Sequence, residues 1–266
     1  MVITVTSGIT FALLVLGIGV ALESFRPVER KLARTVVFNF LYAAAFTAWA
    51  IVLQPVADAE SAFLHRRLGI APIPLPTSGP SVLLSAAVLM LASDLIFYWV
   101  HRAQHRYAWL WAMHSFHHSD DDVNVTTGYR HYWVEKPLFL LLFYLPLGLV
   151  FRISPGAAAL YSLLFLFFSL FPHMNARIEL GRWSSVLLGP QLHRLHHSTN
   201  PEDFNLNFAG AFPVWDKLFG TYRSPRPGEF PPTGVAGADA VPGAIQTFFW
   251  PLIPARQSPE RAAHQR

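Results

Sequence analysis

Residues 81–105 read SVLLSAAVLMLASDLIFYWVHRAQH, a run whose only charged side chain over 81–100 is Asp94, followed at once by two histidines, His101 and His105. A helix needs roughly 20 mainly apolar residues to cross the hydrocarbon of a bilayer, so this run is long enough to span. Residues four apart share one face of a helix, so the two imidazoles leave the end of the span on the same side. The fold then depends on how many more such runs exist and where the other histidines fall relative to their ends.

Apolar types make up 53% of the 266 residues and charged types 14%, a balance that makes lipid part of the solvent. The runs 3–23 and 38–58 are also long enough to span. No Lys or Arg precedes the apolar stretch of 3–23, so it reads as a retained membrane helix and not a cleavable signal. From Pro137 to Pro172 the chain is apolar except at 151–156, FRISPG, a turn signal that predicts two short spans in a hairpin. The expected fold class is all-α: a polytopic membrane helical bundle of four or five spans, with a cytosolic helical cap carrying the histidines. Residues 1–223 are read as one domain. Residues 224–266, rich in Pro, Gly and Ala, are read as a tail of irregular structure, in which 246–253 (QTFFWPLI) suits either the membrane surface or packing on the domain.

Short loops rich in Lys and Arg stay cytoplasmic. Arg26, Arg30, Lys31 and Arg34 in 24–37, with Arg102 and Arg106 after the third span, put those segments and the tail beyond 173 inside; Arg66 and Arg67 count against this but are outnumbered. The net charge of +4 raises nucleic acid as a partner, but the basic residues flank the spans and form no stripe, so anionic lipid headgroups suit better. With no cysteine there is no disulfide, no thiolate-ligated haem and no cysteine-held iron–sulfur cluster.

Nine of the twelve histidines follow a narrow pattern: His101 and His105 in HRAQH, His114, His117 and His118 in HSFHH, His173 in FPHMN, and His193, His196 and His197 in HRLHH. The spacings HxxxH and HxxHH aim imidazoles at a common point, as chelation from a helix requires. His101 ends the third span and His173 the fifth, with one hairpin between, so all nine meet at one membrane face. His65 and His264 have no partner at helical spacing and read as ordinary hydrogen-bonded histidines. A zinc ion takes three or four protein ligands, so nine imidazoles suit two ions. Imidazole accepts Zn, Cu, Fe or Ni, so ligand type does not single out iron. A metal pair at the end of membrane helices lies within reach of a lipid entering from the bilayer. A two-zinc membrane hydrolase fits the same geometry; a metal transporter fits less well, because apart from Asp94 the spans carry almost no ionisable groups.

The stretches HRAQH, HSFHHSDDDVNVTTGYRHYWVE, FPHMN, HRLHHSTNPEDFNLNFAG and WDKLFGTY, over about residues 85–223, resemble the fatty acid hydroxylase and sterol desaturase superfamily of integral membrane enzymes. The resemblance implies a non-haem centre of two iron ions that uses O₂ and two electrons from an external donor, of cytochrome or ferredoxin type, to hydroxylate or desaturate a lipid C–H bond. It makes His101, His105, His114, His117, His118, His193, His196 and His197 iron ligands and His173 the isolated histidine before the last box. Some relatives carry a further histidine where this chain has Arg177, leaving a water or His131 to complete the set.

Ligating imidazoles donate their other N–H to a carboxylate or carbonyl, and Asp94, seven residues before His101 on the same helix face, is the expected partner. Asn124, Arg130, Glu135, Asn175, Asn205 and Asn207 occupy motif positions like the family's, where capping or packing explains them equally well. Asp120, Asp121 and Asp122 read as a solvated helix-start cluster. Phe97, Tyr98, Trp99, Trp109 and Trp111 read as an interfacial belt before a lipid channel. Trp215–Gly220 is expected to close the cap without chemistry.

Overall fold

The computed structural model describes residues 5–30, 33–69, 71–238 and 240–252. Lys31, His264, the first residues of the predicted 3–23 span and the tail beyond 252 lie outside them. The described chain is mostly helical: α1 (Val5–Glu23), α2 (Ala33–Leu68), α3 (Ser81–Arg106), α4 (Ala108–His118), α5 (Glu135–Phe139), α6 (Leu145–Val150), α7 (Pro155–Leu170), α8 (Pro190–His196), α9 (Val214–Leu218) and α10 (Ala244–Phe248). A two-residue parallel bridge pairs Ile73 with Phe151 and Pro74 with Arg152.

Among the described residues, four helical stretches are long and apolar enough to cross a membrane: Thr6–Glu23, Ala33–Leu68, Ser81–Arg106 and Pro155–His173. Large apolar side chains on them, such as Leu14, Leu41, Leu83 and Phe167, point outward with no protein cover, as a lipid solvent requires. The second span is 36 residues long, about 54 Å at 1.5 Å per residue, so it runs well past the predicted 38–58. Of the two short spans expected in the hairpin, the second is Pro155–His173, and the first is a shorter helical stretch over 135–150 in which a π-helical turn, Leu140–Tyr144, joins α5 to α6. Pro155 at the first turn of α7, behind the Ser154 cap on Ala157 N, starts the last span as the FRISPG turn predicted.

Packing inside a bilayer depends on close fit more than on expulsion of water. Leu89 and Met90 of α3 meet Ala157 and Tyr161 of α7, while Leu16 of α1 and Ala43 of α2 close on Val125 and Leu170. One end of the bundle is tied by polar groups. Glu23 Oε2, at the end of α1, accepts N–H bonds from Val125 at 3.0 Å and Asn175 at 2.8 Å. Asn175 Oδ1 in turn accepts from Val28 and Glu29 N–H. These bonds tie the chain just beyond α7 to the end of α1 and to the 3₁₀ turn that begins at Val125.

Candidate metal centre

Tyr107 is extended, with φ −101° and ψ 124°, and this break folds α4 back beside α3. The short helix α8, started by Pro190, packs on the turn Phe171–His173 and carries His193 and His196 to the same place. All nine predicted histidines converge, in two groups. His101, His105, His114, His118 and His196 form one; His117, His173, His193 and His197 form the other. Within each group one nitrogen per residue lies within 4.8 Å of all the others, and every member is buried.

The division follows from helix geometry. Adjacent residues point about 100° apart, so a His–His pair cannot aim at one point. In HSFHH, His114 and His118 share the first group and His117 turns to the second. In HRLHH the pair four apart, His193 and His197, serves the second group and His196 the first.

Hydrogen bonds on the outer nitrogens set which lone pairs face inward. Nδ1–H of His101 donates to Phe208 O at 2.8 Å, of His196 to Leu206 O at 2.9 Å, of His173 to Ser169 O at 2.9 Å and of His114 to Glu135 Oε1 at 3.2 Å. The Nε2 atoms of His101, His114, His118 and His196 are buried without a hydrogen-bond partner among the described residues. In the second group Nε2 atoms crowd together: His173 lies 3.2 Å from His117 and 2.9 Å from His193, which is 3.2 Å from His197. Lone pairs gathered in a dry interior are costly unless they share a cation. Nitrogens bound to one ion at about 2.0–2.1 Å stand about 3 Å apart, so the residues fit a pair of metal ions. Burial, then mutual repulsion, holds His117, His118, His193 and His197 well below the ordinary histidine range, and burial pulls His196 down to about 3. Neutral imidazole is the metal-binding form.

Glu135 anchors His114. Burial pushes its carboxyl up, but the His114 bond and the neighbouring His131 outweigh it and bring it to about 2. Its two oxygens also accept from Gln104 Nε2 and Tyr132 N. His131 belongs to neither main group; it sits with His114 and Glu135 and stacks on His117 at 4.7 Å.

Asp94 is buried, but its carboxylate reaches backbone and not an imidazole: it accepts the N–H groups of Gly210, Ala211 and Phe212 at 2.8–2.9 Å. Asp216 does the same for Phe208 and Ala209, at 2.7 and 2.9 Å. Two carboxylates thus clamp the segment whose carbonyls orient His101 and His196. Asp216 lies within Trp215–Gly220, which the sequence marks only as closing the cap, so its part in orienting ligands is visible only in the structure. Asn205 and Asn207 take left-handed φ values of 60° and 58°, which Asn tolerates, and Asn207 bonds both the N–H and the carbonyl of Arg223.

The reading of Asp120–Asp122 as solvated is corrected. Asp121 is exposed, but Asp120 and Asp122 are buried. Asp120 Oδ2 accepts from Asn39 Nδ2 and Thr127 Oγ1, because its segment follows α4 and faces α2. Arg130, fully buried, donates to Phe116 O, Ala240 O and Ser119 Oγ. Asn124 caps the 3₁₀ turn Val125–Tyr129. His65 is satisfied by Gly148 O at 3.0 Å. Arg177 lies over Phe230. Of the aromatic belt, Trp99 and Trp109 are exposed and Tyr98 and Trp111 buried, while Phe97 lines a cavity.

That cavity, about 290 Å³, is walled mainly by apolar side chains of α3, α5 and α7, including Met90, Phe97, Phe139 and Phe165, and reaches His101, His114, His117, His173 and His193. Such a site admits a chain-like apolar ligand to imidazoles of both groups.

A family model described as fatty acid hydroxylase matches residues 86–221. Alkylglycerol monooxygenase of Xenopus tropicalis is 36% identical over 132 residues, 50% of this chain and 29% of that protein. Ornithine lipid hydroxylase of Rhizobium tropici is 28% identical over 141 residues, covering 51% and 41%. Cholesterol 25-hydroxylase of Mus musculus is 30% identical over 161 residues, covering 58% and 53%. The chain therefore spans about half or less of the length of these relatives. No solved structure matches it.

Proposed function

Since the chain belongs to the fatty acid hydroxylase family, we propose that it is a membrane oxidoreductase that hydroxylates a C–H bond of a lipid with O₂, using two iron ions held by its histidines. The observation that carries this reading is the pair of buried imidazole groups, with inward lone pairs, opening on an apolar cavity. His101, His105, His114, His118 and His196 would hold one ion, and His117, His173, His193 and His197 the other. Bound iron supplies activation of O₂, with two external electrons and two protons turning one oxygen atom into water and the other into the product hydroxyl.

The chain's own groups bind and orient. The carbonyls of Leu206, Phe208 and Ser169 and the Glu135 carboxylate fix ring orientation and tautomer. Met90, Phe97 and Phe165 exclude water and seat an aliphatic chain. The relatives named above act on an alkylglycerol, an ornithine lipid and cholesterol and are named monooxygenase or hydroxylase, which favours hydroxylation over desaturation and an aliphatic lipid as substrate. Arg26, Arg30, Arg34, Arg102 and Arg106 lie toward the histidine end of the spans, which supports a cytoplasmic metal site. A cytochrome or ferredoxin-type donor would dock on that face.

Metal analysis of the purified protein, combined with lipid profiling of cells expressing wild type or His196→Ala, tests the proposal. Two irons per chain and an oxygenated lipid lost in the variant are expected. Tightly bound zinc with an unchanged lipid oxidation profile overturns it.

A further inference from the structure

A second apolar space lies across the seam between α3 and the helical stretch that begins with α5. This outer groove, about 490 Å³, is lined by Leu95, Ile96, Trp99, Leu138, Leu142 and Pro146 among others. It and the histidine cavity have two wall residues in common, Glu135 and Phe139. Glu135 is committed to His114, Gln104 and Tyr132. The Phe139 side chain is held by ring contacts: its ring lies 6.1 Å from Phe97, whose own ring is 5.1 Å from His101. At this point the partition is the Phe139 ring, which also lies 6.2 Å from His131 and 6.1 Å from Phe143.

Outward, Trp99 and Leu142 are about half exposed, at 48% and 47%, and α3 is a candidate span, so the groove opens toward hydrocarbon. The π-helical turn Leu140–Tyr144 begins at the residue after Phe139, and such turns within helices are frequent at functional sites. An aliphatic chain arriving through water would expose every methylene, a penalty that a path within the bilayer avoids.

We propose that the outer groove is the bilayer-side entry for the aliphatic chain of the substrate, and that Phe139, paired with Phe97, is the side chain displaced to admit it to the histidine cavity. This rests on the reading that the substrate is a lipid. The test uses the full chain, metal-loaded, in nanodiscs containing a long-chain fatty acid with a diazirine near its methyl end, with photoadducts mapped by peptide mass spectrometry. Wild type is expected to carry adducts on the groove residues Leu95 and Leu142 and on the inner residues Met90 and Phe165. Phe139→Trp should keep the groove adducts and lose the inner ones, and Phe139→Ala should increase the inner ones. Leu142→Trp narrows the groove from outside without touching the inner cavity and should also lose inner adducts, which separates a blocked path from a filled or misfolded cavity. Inner labelling indifferent to both tryptophans overturns the entry route. So does labelling confined to the groove in every variant, which would mark it as a boundary-lipid site only. Adduct positions do not depend on turnover, so this result stands apart from the metal and lipid-product assay.

Discussion

Gly128 occupies a position with no room for a side chain: a Cβ there would stand 2.5 Å from the Ser169 carbonyl oxygen, the same oxygen that accepts the Nδ1–H of His173. Gly128→Ala must push that carbonyl aside and let the imidazole turn. The expected outcome is a folded protein destabilised by about 1–3 kcal/mol, with iron content falling toward one ion per chain as the His117, His173, His193 and His197 group fails. Metal analysis beside circular dichroism checks it, and full iron occupancy in the variant would refute the link. Eight of the nine histidines were readable in the sequence because spacings of three and four on a helix share one face, and His173 because it ends a span on the same side. The groups that orient them were not, since Ser169, Leu206 and Phe208 act through carbonyls that every residue possesses. Asp94 shows the intermediate case: its helix face could be read, but its partners, three N–H groups more than a hundred positions away, could not.

Among elements, the segment that ends in α10 and the 3₁₀ turn Trp250–Leu252 does more than a Pro- and Gly-rich composition suggests. Trp250 is 1% exposed, its ring is 5.1 Å from Phe116 of α4, and its Nε1 donates to Ser115 Oγ at 3.0 Å. Tyr132 Oη and Trp133 Nε1 both donate to Phe248 O, while Ile245, Phe248, Phe249 and Leu252 remain exposed. Trp250→Ala leaves a void against the helix that carries His114, His117 and His118, and is expected to cost about 3–5 kcal/mol. Thermal melts in detergent should show a lower midpoint for Trp250→Ala and partial recovery in Trp250→Phe; an unchanged midpoint would show that the segment does not brace α4. The sequence left 246–253 open between membrane surface and protein, because a helix of five residues is too short for periodicity to say which side faces inward.

At the scale of the molecule, the buried imidazoles make stability depend on pH. Those outside the spans with lowered proton affinity are His114, His117, His118, His193, His196 and His197, each held down first by burial. In the unfolded chain they take up protons near pH 6.5, whereas folded His196 does so only at about 3. Between those values the unfolded state holds more protons, so stability falls as pH falls, by up to about 1.4 kcal/mol per pH unit for each group. Chelator-stripped protein should melt at a constant temperature above about pH 7 and progressively lower from about pH 6.5 downward; a flat profile down to about pH 5 would contradict the neutral, buried state. Helix content and the four long spans were plain from composition, but the π-helical turn was not, because its residues are as apolar as those of a regular span. One consequence concerns biosynthesis. The first imidazole of each group is translated long before the last: the first group waits for His196, at the end of α8, and the second for His197, the residue after it. If the centre holds iron as proposed, a chain interrupted after the final apolar hairpin would offer only half-built sets of ligands, so metal loading would belong after membrane insertion.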